Sequence, residues 1–185
     1  MLKNSKVLSR LIAFLIIFSM VLTHASLENV CDVYAATNLI SSERTVYASS
    51  GTGASYVVDG DTSTRWESEW QVDPQWIYVD LGADATISSV KINWEGAYAT
   101  SYKIQVSDDE YTWEDIYSTD SGSGGIVEHD VSGLGRYVRL YCISRALDAY
   151  GYSLYEFEVY GEGGIYEEPA NYGTNVALNK EVVAS

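Results

Sequence analysis

Two groups of residues in this sequence have types and spacings that could do chemistry. In Tyr56-Val57-Val58-Asp59-Gly60-Asp61-Thr62-Ser63-Thr64, carboxylates, hydroxyls and main-chain carbonyls crowd around a glycine. A hard cation such as Ca²⁺ takes about six to eight oxygen ligands, and a tight turn that gathers oxygens suits it. The same residues also make an ordinary Asp-Gly turn with no ion. The second group is aromatic and acidic. Trp70 and Tyr98 fall in predicted loops, as do Tyr150 and Tyr152 ahead of the last predicted strand, whereas Trp66, Trp76, Trp94 and Trp113 lie inside strand-like motifs and read as core or sheet-packing residues. Exposed rings offer flat apolar surface to the C–H faces of a sugar, and polar groups beside them meet its hydroxyls. Glu43, Glu69 and Glu95 fall in loops of the same kind. Singly each reads as a solvated charge, but converging carboxylates would give a cationic ligand charge-assisted hydrogen bonds that a neutral one could not match.

Other chemistries have no motif here. The chain carries no CxxC, no HExxH, no Ser/His/Asp order and no phosphate-cradling glycine loop. Carboxylate pairs of the kind used in glycoside hydrolysis occur by chance in so acidic a chain, so part of a glycoside hydrolase is the enzymatic alternative. With 11 basic against 26 acidic residues the formal charge is −15, a poor match to nucleic acid or anionic lipid. This weighs against a membrane partner, the second alternative being a cell-surface adhesion module that binds protein or membrane. His129 reads as a lone surface histidine, and Arg65 and Arg139 read as structural partners at the sheet. No feature of the sequence calls for an oligomer.

The elements that must position these residues begin after an address segment. Lys3, Lys6 and Arg10 precede an apolar run from Leu11 to Leu22, too short to span a bilayer, with small residues at Val33 and Ala35. Residues 1–35 are expected to be a signal peptide, cleaved after Ala35, giving a secreted chain of charge −16. Cleavage removes Cys31 and leaves Cys142 alone, so no internal disulfide can staple the fold.

From 38 to 161, short runs rich in Val, Ile, Tyr and Trp alternate with Gly, Asp, Ser and Thr clusters, which reads as all-β. Strands are predicted at 76–81, 87–94, 102–107, 113–118, 136–142 and 154–161, with IVEHDV as a hairpin-like segment. Ile77, Val79 and Leu81 share one face, as do Val90, Ile92 and Trp94, and Ile104 and Val106. Regular strands at this spacing predict a sandwich or jelly roll. The boundaries expected are a domain over 36–161, an acidic, Gly-containing linker over 162–173, and at 174–185 the start of a second repeat, because TNVALNKEVVAS echoes TNLISSERTVYAS.

Four segments, YVVDGDTSTRWES, PQWIYVDLG, YKIQVSDDEYTWEDIY and GRYVRLYCISRALDAYGYSLYEFEVYG, resemble the coagulation factor 5/8 type C (discoidin) domain, and within it carbohydrate-binding module family 32. The resemblance implies an eight-stranded jelly-roll β-sandwich, galactose-binding-domain-like in fold, with a structural Ca²⁺ and a glycan site in loops at one end. It implies cation ligands at Asp59, Thr64 and the carbonyls of Tyr56 and Asp61, joined from the last strand by the Tyr155 carbonyl and the Glu156 carboxylate. The segments WEGAYATSYKIQVS and GYSLYEFEVYG look most like modules on secreted chitosanases and glucanases, and Glu43, Glu69 and Glu95 match acidic positions of the chitosan-binding relatives. The expected glycan site is therefore Glu43, Glu69, Trp70, Glu95, Tyr98, Tyr150 and Tyr152, with polysaccharide or oligosaccharide as partner. Val72 and Gln75 stand where galactose-binding members carry a His and an aromatic, which argues against galactose.

Overall fold

The computed structural model describes residues 38–164. The expected signal peptide and second repeat lie outside the described residues, as does most of the linker. Within them the chain forms β1 (Asn38–Leu39), β2 (Thr45–Ala48), a 3₁₀ turn (Ala54–Val58), β3 (Trp66–Glu67), β4 (Gln75–Trp94), β5 (Ala99–Ser107), β6 (Glu114–Thr119), β7 (Ile126–Arg145) and β8 (Ser153–Gly163). All eight strands pair antiparallel.

Period-2 alternation dictates how the strands lie. Ile77, Val79, Leu81, Val90, Ile92 and Ile104 are fully enclosed, with Trp94 and Val106 nearly so. They face Val138, Leu140, Phe157 and Val159 in one core. The pairing divides into two layers. The first half of β4 pairs with β2 and with the second half of β7, which continues to β5 and β6. The second half of β4 pairs with β8 and with the first half of β7, β1 and β3 adding to β8.

Two predicted strands, 76–81 and 87–94, are thus one strand that passes from layer to layer, and IVEHDV is the first half of β7 rather than a hairpin. The ladder breaks between Asp80 and Ala85, opposite Tyr137 and Gly135, and this irregularity lets both strands turn the corner together. β8 runs to Gly163, two residues past the boundary expected from composition.

The aromatic residues sort by parity. Trp66 and Trp94 enter the core, Trp66 donating its Nε1–H to the Ser50 carbonyl at 3.1 Å. Trp76 and Trp113 pack on the outer face, where Tyr78 meets both rings and the Arg139 guanidinium lies 3.9 Å over Trp113. Arg139 also donates to Gln105 Oε1 at 2.8 Å, the hydrogen bond at the sheet expected of it. His129 departs from expectation: it is half-buried, stacked on Tyr117 at 3.9 Å and hydrogen-bonded to the Tyr102 hydroxyl at 2.8 Å. It faces inward because it follows the β7 alternation opposite Val90. Cys142 is buried and free.

Replacing Trp66 by Ala removes the largest enclosed side chain and leaves the Ser50 carbonyl without its donor. A loss of about 3–5 kcal/mol in urea-unfolding free energy is expected.

Candidate functional site

The start of β8 holds together the loops at one end of the sandwich. The Ser153 N–H donates to the Ala97 carbonyl at 2.8 Å, and the Ser153 carbonyl accepts from Glu95 N–H at 3.0 Å. Tyr152 carbonyl accepts from Ser68 N–H at 2.9 Å while Tyr152 N–H donates to Ser68 Oγ at 2.8 Å. Gly151 fits here because a Cβ would come within 2.6 Å of the Ser68 carbonyl. The Arg145 guanidinium joins the β3–β4 and β7–β8 loops, pairing with Asp73 at 3.1 Å and donating to the Tyr150 carbonyl at 3.3 Å.

These ties enclose a cleft of about 340 Å³ lined by Arg65, Glu67, Trp70, Glu95, Tyr150 and Leu147, with Gly96, Ala97, Gly151 and Ser153 as its floor and rim. Trp70 and Tyr150 are 54% and 48% exposed and meet edge-on with ring centroids 5.4 Å apart. Glu67 is held on both oxygens: Oε1 accepts from the Trp70 indole N–H, and Oε2 from Arg65 at 2.8 Å. The Trp70 bond, then the Arg65 bond, holds its carboxyl below the usual range. Glu95 uses Oε2 to accept from the Ala97 N–H at 3.0 Å. The cleft therefore combines exposed rings, an internal ion pair and a carboxylate.

The structure brings Trp70, Glu95 and Tyr150 of the expected glycan residues into this cleft, and places the other four elsewhere. Tyr152 is fully buried: it shares parity with Leu154, turns into the core and donates its hydroxyl to Asp73. It cannot stack on a sugar. Tyr98 packs against the core and over Gly124, whose Cβ would lie 2.6 Å from the ring. Glu43 is exposed beside the 3₁₀ turn, its N–H donating to the Val58 carbonyl at 3.0 Å. Glu69 is exposed with its N–H on Ser50 Oγ at 2.9 Å, and lines no wall of the cleft. Arg65 makes the ion pair at the sheet expected of it, with Glu67 of β3, and it also lines the cleft, while Glu67 and Leu147 were not among the residues expected there. The signal for Glu67 was present, since alternation from the inward Trp66 turns it outward.

The Asp-Gly turn forms beside this site. Asp59 Oδ1 accepts from Asp61 N–H at 2.8 Å, and Gly60 takes φ +75°. Thr64 Oγ1 lies 3.0 Å from Asp59 Oδ2 and 2.8 Å from the Asp61 carbonyl. Asp61 Oδ1 is capped by Ser63. Among the described residues no three His, Cys, Asp or Glu side chains gather as a metal cluster. A cation here would draw on Asp59 and Glu156 and otherwise on carbonyl and hydroxyl oxygens. Glu156 is 5% exposed, and its Oε1 is enclosed without a hydrogen-bond partner. An unpartnered buried carboxylate oxygen beside Asp59 is a position that a cation would satisfy, so these residues fit the ion.

The protein is thus a two-layered antiparallel β-sandwich with a ring-lined cleft in the loops at one end. The family model of the F5/8 type C, NedA-like galactose-binding domain matches residues 56–140. Chitosan-binding module 1 of a chitosanase/glucanase from Paenibacillus sp. IK-5 is 46% identical, with a TM-score of 0.64 over 67% of this chain and 99% of that one. Module 2 of the same enzyme, solved in complex with chitotriose, is 44% identical, with a TM-score of 0.64 over 66% of this chain and 99% of that one. The family 32 module of Clostridium perfringens NanJ shares the fold at 23% identity, with a TM-score of 0.58 over 67% and 98% of the two chains. A polysaccharide lyase 8 family protein, HylA, of Enterococcus faecalis is 38% identical over 68 residues, which are 37% of this chain and 5% of that protein. The chain belongs to the F5/8 type C (discoidin) family of galactose-binding-like domains.

Burial, and next the charge of Asp59, push the Glu156 carboxyl up from 4.5 to about 7. The folded domain then holds this proton more tightly than the unfolded chain does, so the metal-free stability contribution is present below about pH 4.5 and is lost as pH rises through 7. In chelator, the wild type should lose about 2–3 kcal/mol across that window relative to Glu156→Gln. Urea midpoints of the two proteins at each end of the window test this.

Proposed function

We propose that this domain is a non-catalytic carbohydrate-binding module that holds an appended polymer-degrading enzyme or surface protein on chitosan or a β-glucan outside the cell. The observation that carries this reading is the exposed Trp70–Tyr150 pair standing in one cleft with Glu95. Rings meeting edge-on give two differently oriented apolar faces, suited to successive sugar units of a chain. The carboxylate beside them meets a hexosamine ammonium, and the likeness to chitosan-binding modules supports an amino sugar over neutral glucan. Likeness to part of a polysaccharide lyase family protein supports attachment to an enzyme acting on polysaccharide, although this chain spans only 5% of that relative. Secretion rests on the expected signal peptide.

A structural Ca²⁺ belongs to the same proposal. Asp59, Thr64, Glu156 and the carbonyls of Tyr56, Asp61 and Tyr155 would hold it, and bound there it would supply the counter-charge that Glu156 lacks. Through it the Tyr56–Thr64 loop, which leads into Arg65 and β3, would be tied to β8.

Calcium at about 100 times its Kd should raise the unfolding free energy by about 3 kcal/mol. Asp59→Ala should abolish that gain, and a melting temperature unmoved by calcium would remove the ion from the proposal.

Calorimetric titration with glucosamine and glucose oligomers tests the glycan reading. Trp70→Ala should weaken both oligomers. Glu95→Gln should weaken only the glucosamine series, by about five-fold, from roughly 1 kcal/mol for a partly exposed charge pair. Equal wild-type affinity for the two series would refute the amino-sugar reading.

A further inference from the structure

Trp70 and Tyr150 are accounted for by stacking and Glu95 by its carboxylate, but Arg65 is a cation in a site proposed for a cationic sugar. Its side chain is 47% exposed, it lines the cleft wall, and it pairs with Glu67, which is 31% exposed. The pair sits where a ligand would compete for it. Both oxygens of Glu67 are already engaged, Oε2 by Arg65 and Oε1 by the Trp70 indole, and its charge is paired with the guanidinium. Among the cleft-lining residues the other carboxylate is Glu95, whose backbone bond to Ala97 engages one oxygen only.

We infer that Arg65 is a specificity-determining residue: by neutralising Glu67 it leaves the cleft one unpaired carboxylate, and so selects a glucosamine joined to an uncharged N-acetylated sugar over consecutive glucosamines. This rests on the amino-sugar reading above and refines it. Two consecutive glucosamines bring two ammonium groups, and the second finds Arg65 rather than an anion. Like charge at that subsite disfavours it, a repulsive element that selects as surely as an attractive one. Guanidinium carries five N–H donors in a fixed fork, of which the Glu67 bond uses one. The others suit the acetamide carbonyl and ring hydroxyls of an N-acetylated unit. Glu95 and Arg65 line the same cleft, which puts an acidic and a basic group within one site.

Loss of Arg65 would free Glu67 Oε2 while Oε1 keeps Trp70 in place, so the cleft would gain a negative charge and retain its rings. That separates a role in selection from a role in support. Titration of wild type, Arg65→Gln and Arg65→Lys with three trimers, all-glucosamine, all-N-acetylglucosamine and mixed, at low and high salt tests the inference. Wild type should bind the mixed trimer tightest. Arg65→Gln should bind the all-glucosamine trimer about two- to five-fold more tightly than wild type, with a steeper salt dependence, and the mixed trimer more weakly. Arg65→Lys should keep the wild-type response to the all-glucosamine trimer. An Arg65→Gln protein that weakens on all three trimers alike would reduce Arg65 to a prop for Glu67 and Trp70. Unchanged affinity for the all-glucosamine trimer would show that it does not set the charge of the cleft. Wild type that fails to separate glucosamine from glucose oligomers would instead overturn the amino-sugar reading, and this inference with it.

Discussion

The main chain at Tyr152 and Ser153 has four polar groups to satisfy where β8 begins, and the loops at that end of the sandwich are shaped by the way they are satisfied. Two go to Ser68, through its N–H and Oγ, and two go to Glu95 and Ala97. Buried backbone groups must find partners, so neither loop can drift without orphaning a donor or acceptor. Trp70 lies two residues from one clamp and Tyr150 two residues from the other. Their contact across the cleft is therefore a consequence of backbone accounting in β8, reinforced by Arg145 between Asp73 and the Tyr150 carbonyl. A site held in this way gives up little loop entropy when a ligand arrives.

The same strand start separates enclosed from exposed side chains at single-residue resolution. Tyr150 points out and Tyr152 points in, with Gly151 between them because nothing larger clears Ser68. On β3 the division is between Trp66, enclosed, and Glu67, which reaches the cleft. Core and site are thus interleaved along the chain, and substitutions at neighbouring positions should have unlike effects, one on stability and one on affinity.

Much of the fold was legible from alternation. The faces Ile77-Val79-Leu81, Val90-Ile92-Trp94 and Ile104-Val106 are core faces because a half-buried strand has only one apolar side. What alternation could not reveal was continuity: the two predicted strands either side of Gly82-Ala83-Asp84 are one, β4 passing into the other layer across register breaks paired with Gly133 and Gly135 of β7. The site was legible in part. Trp70, Glu95 and Tyr150, expected in loops, do line one cleft. Tyr152 was misplaced because its loop-like context was weighed above its parity with Leu154. Glu43 and Glu69 were grouped with Glu95 by charge and loop position, but convergence depends on how separate loops fold back, and that is fixed by long-range contacts such as Ser68 to Tyr152 rather than by local sequence.

The pairing of Asn38 with Gly161 has a bearing on how such a domain works when tethered. Gly161 lies eight residues along β8 from the cleft-end residue Ser153, a span of roughly 26 Å at strand rise. Entry and exit of the domain are neighbours, and both sit at the far end from the ring-bearing loops. When several such domains share one tether, each can engage the same polymer, and weak single-site binding multiplies into avidity set by linker reach rather than by any tighter contact.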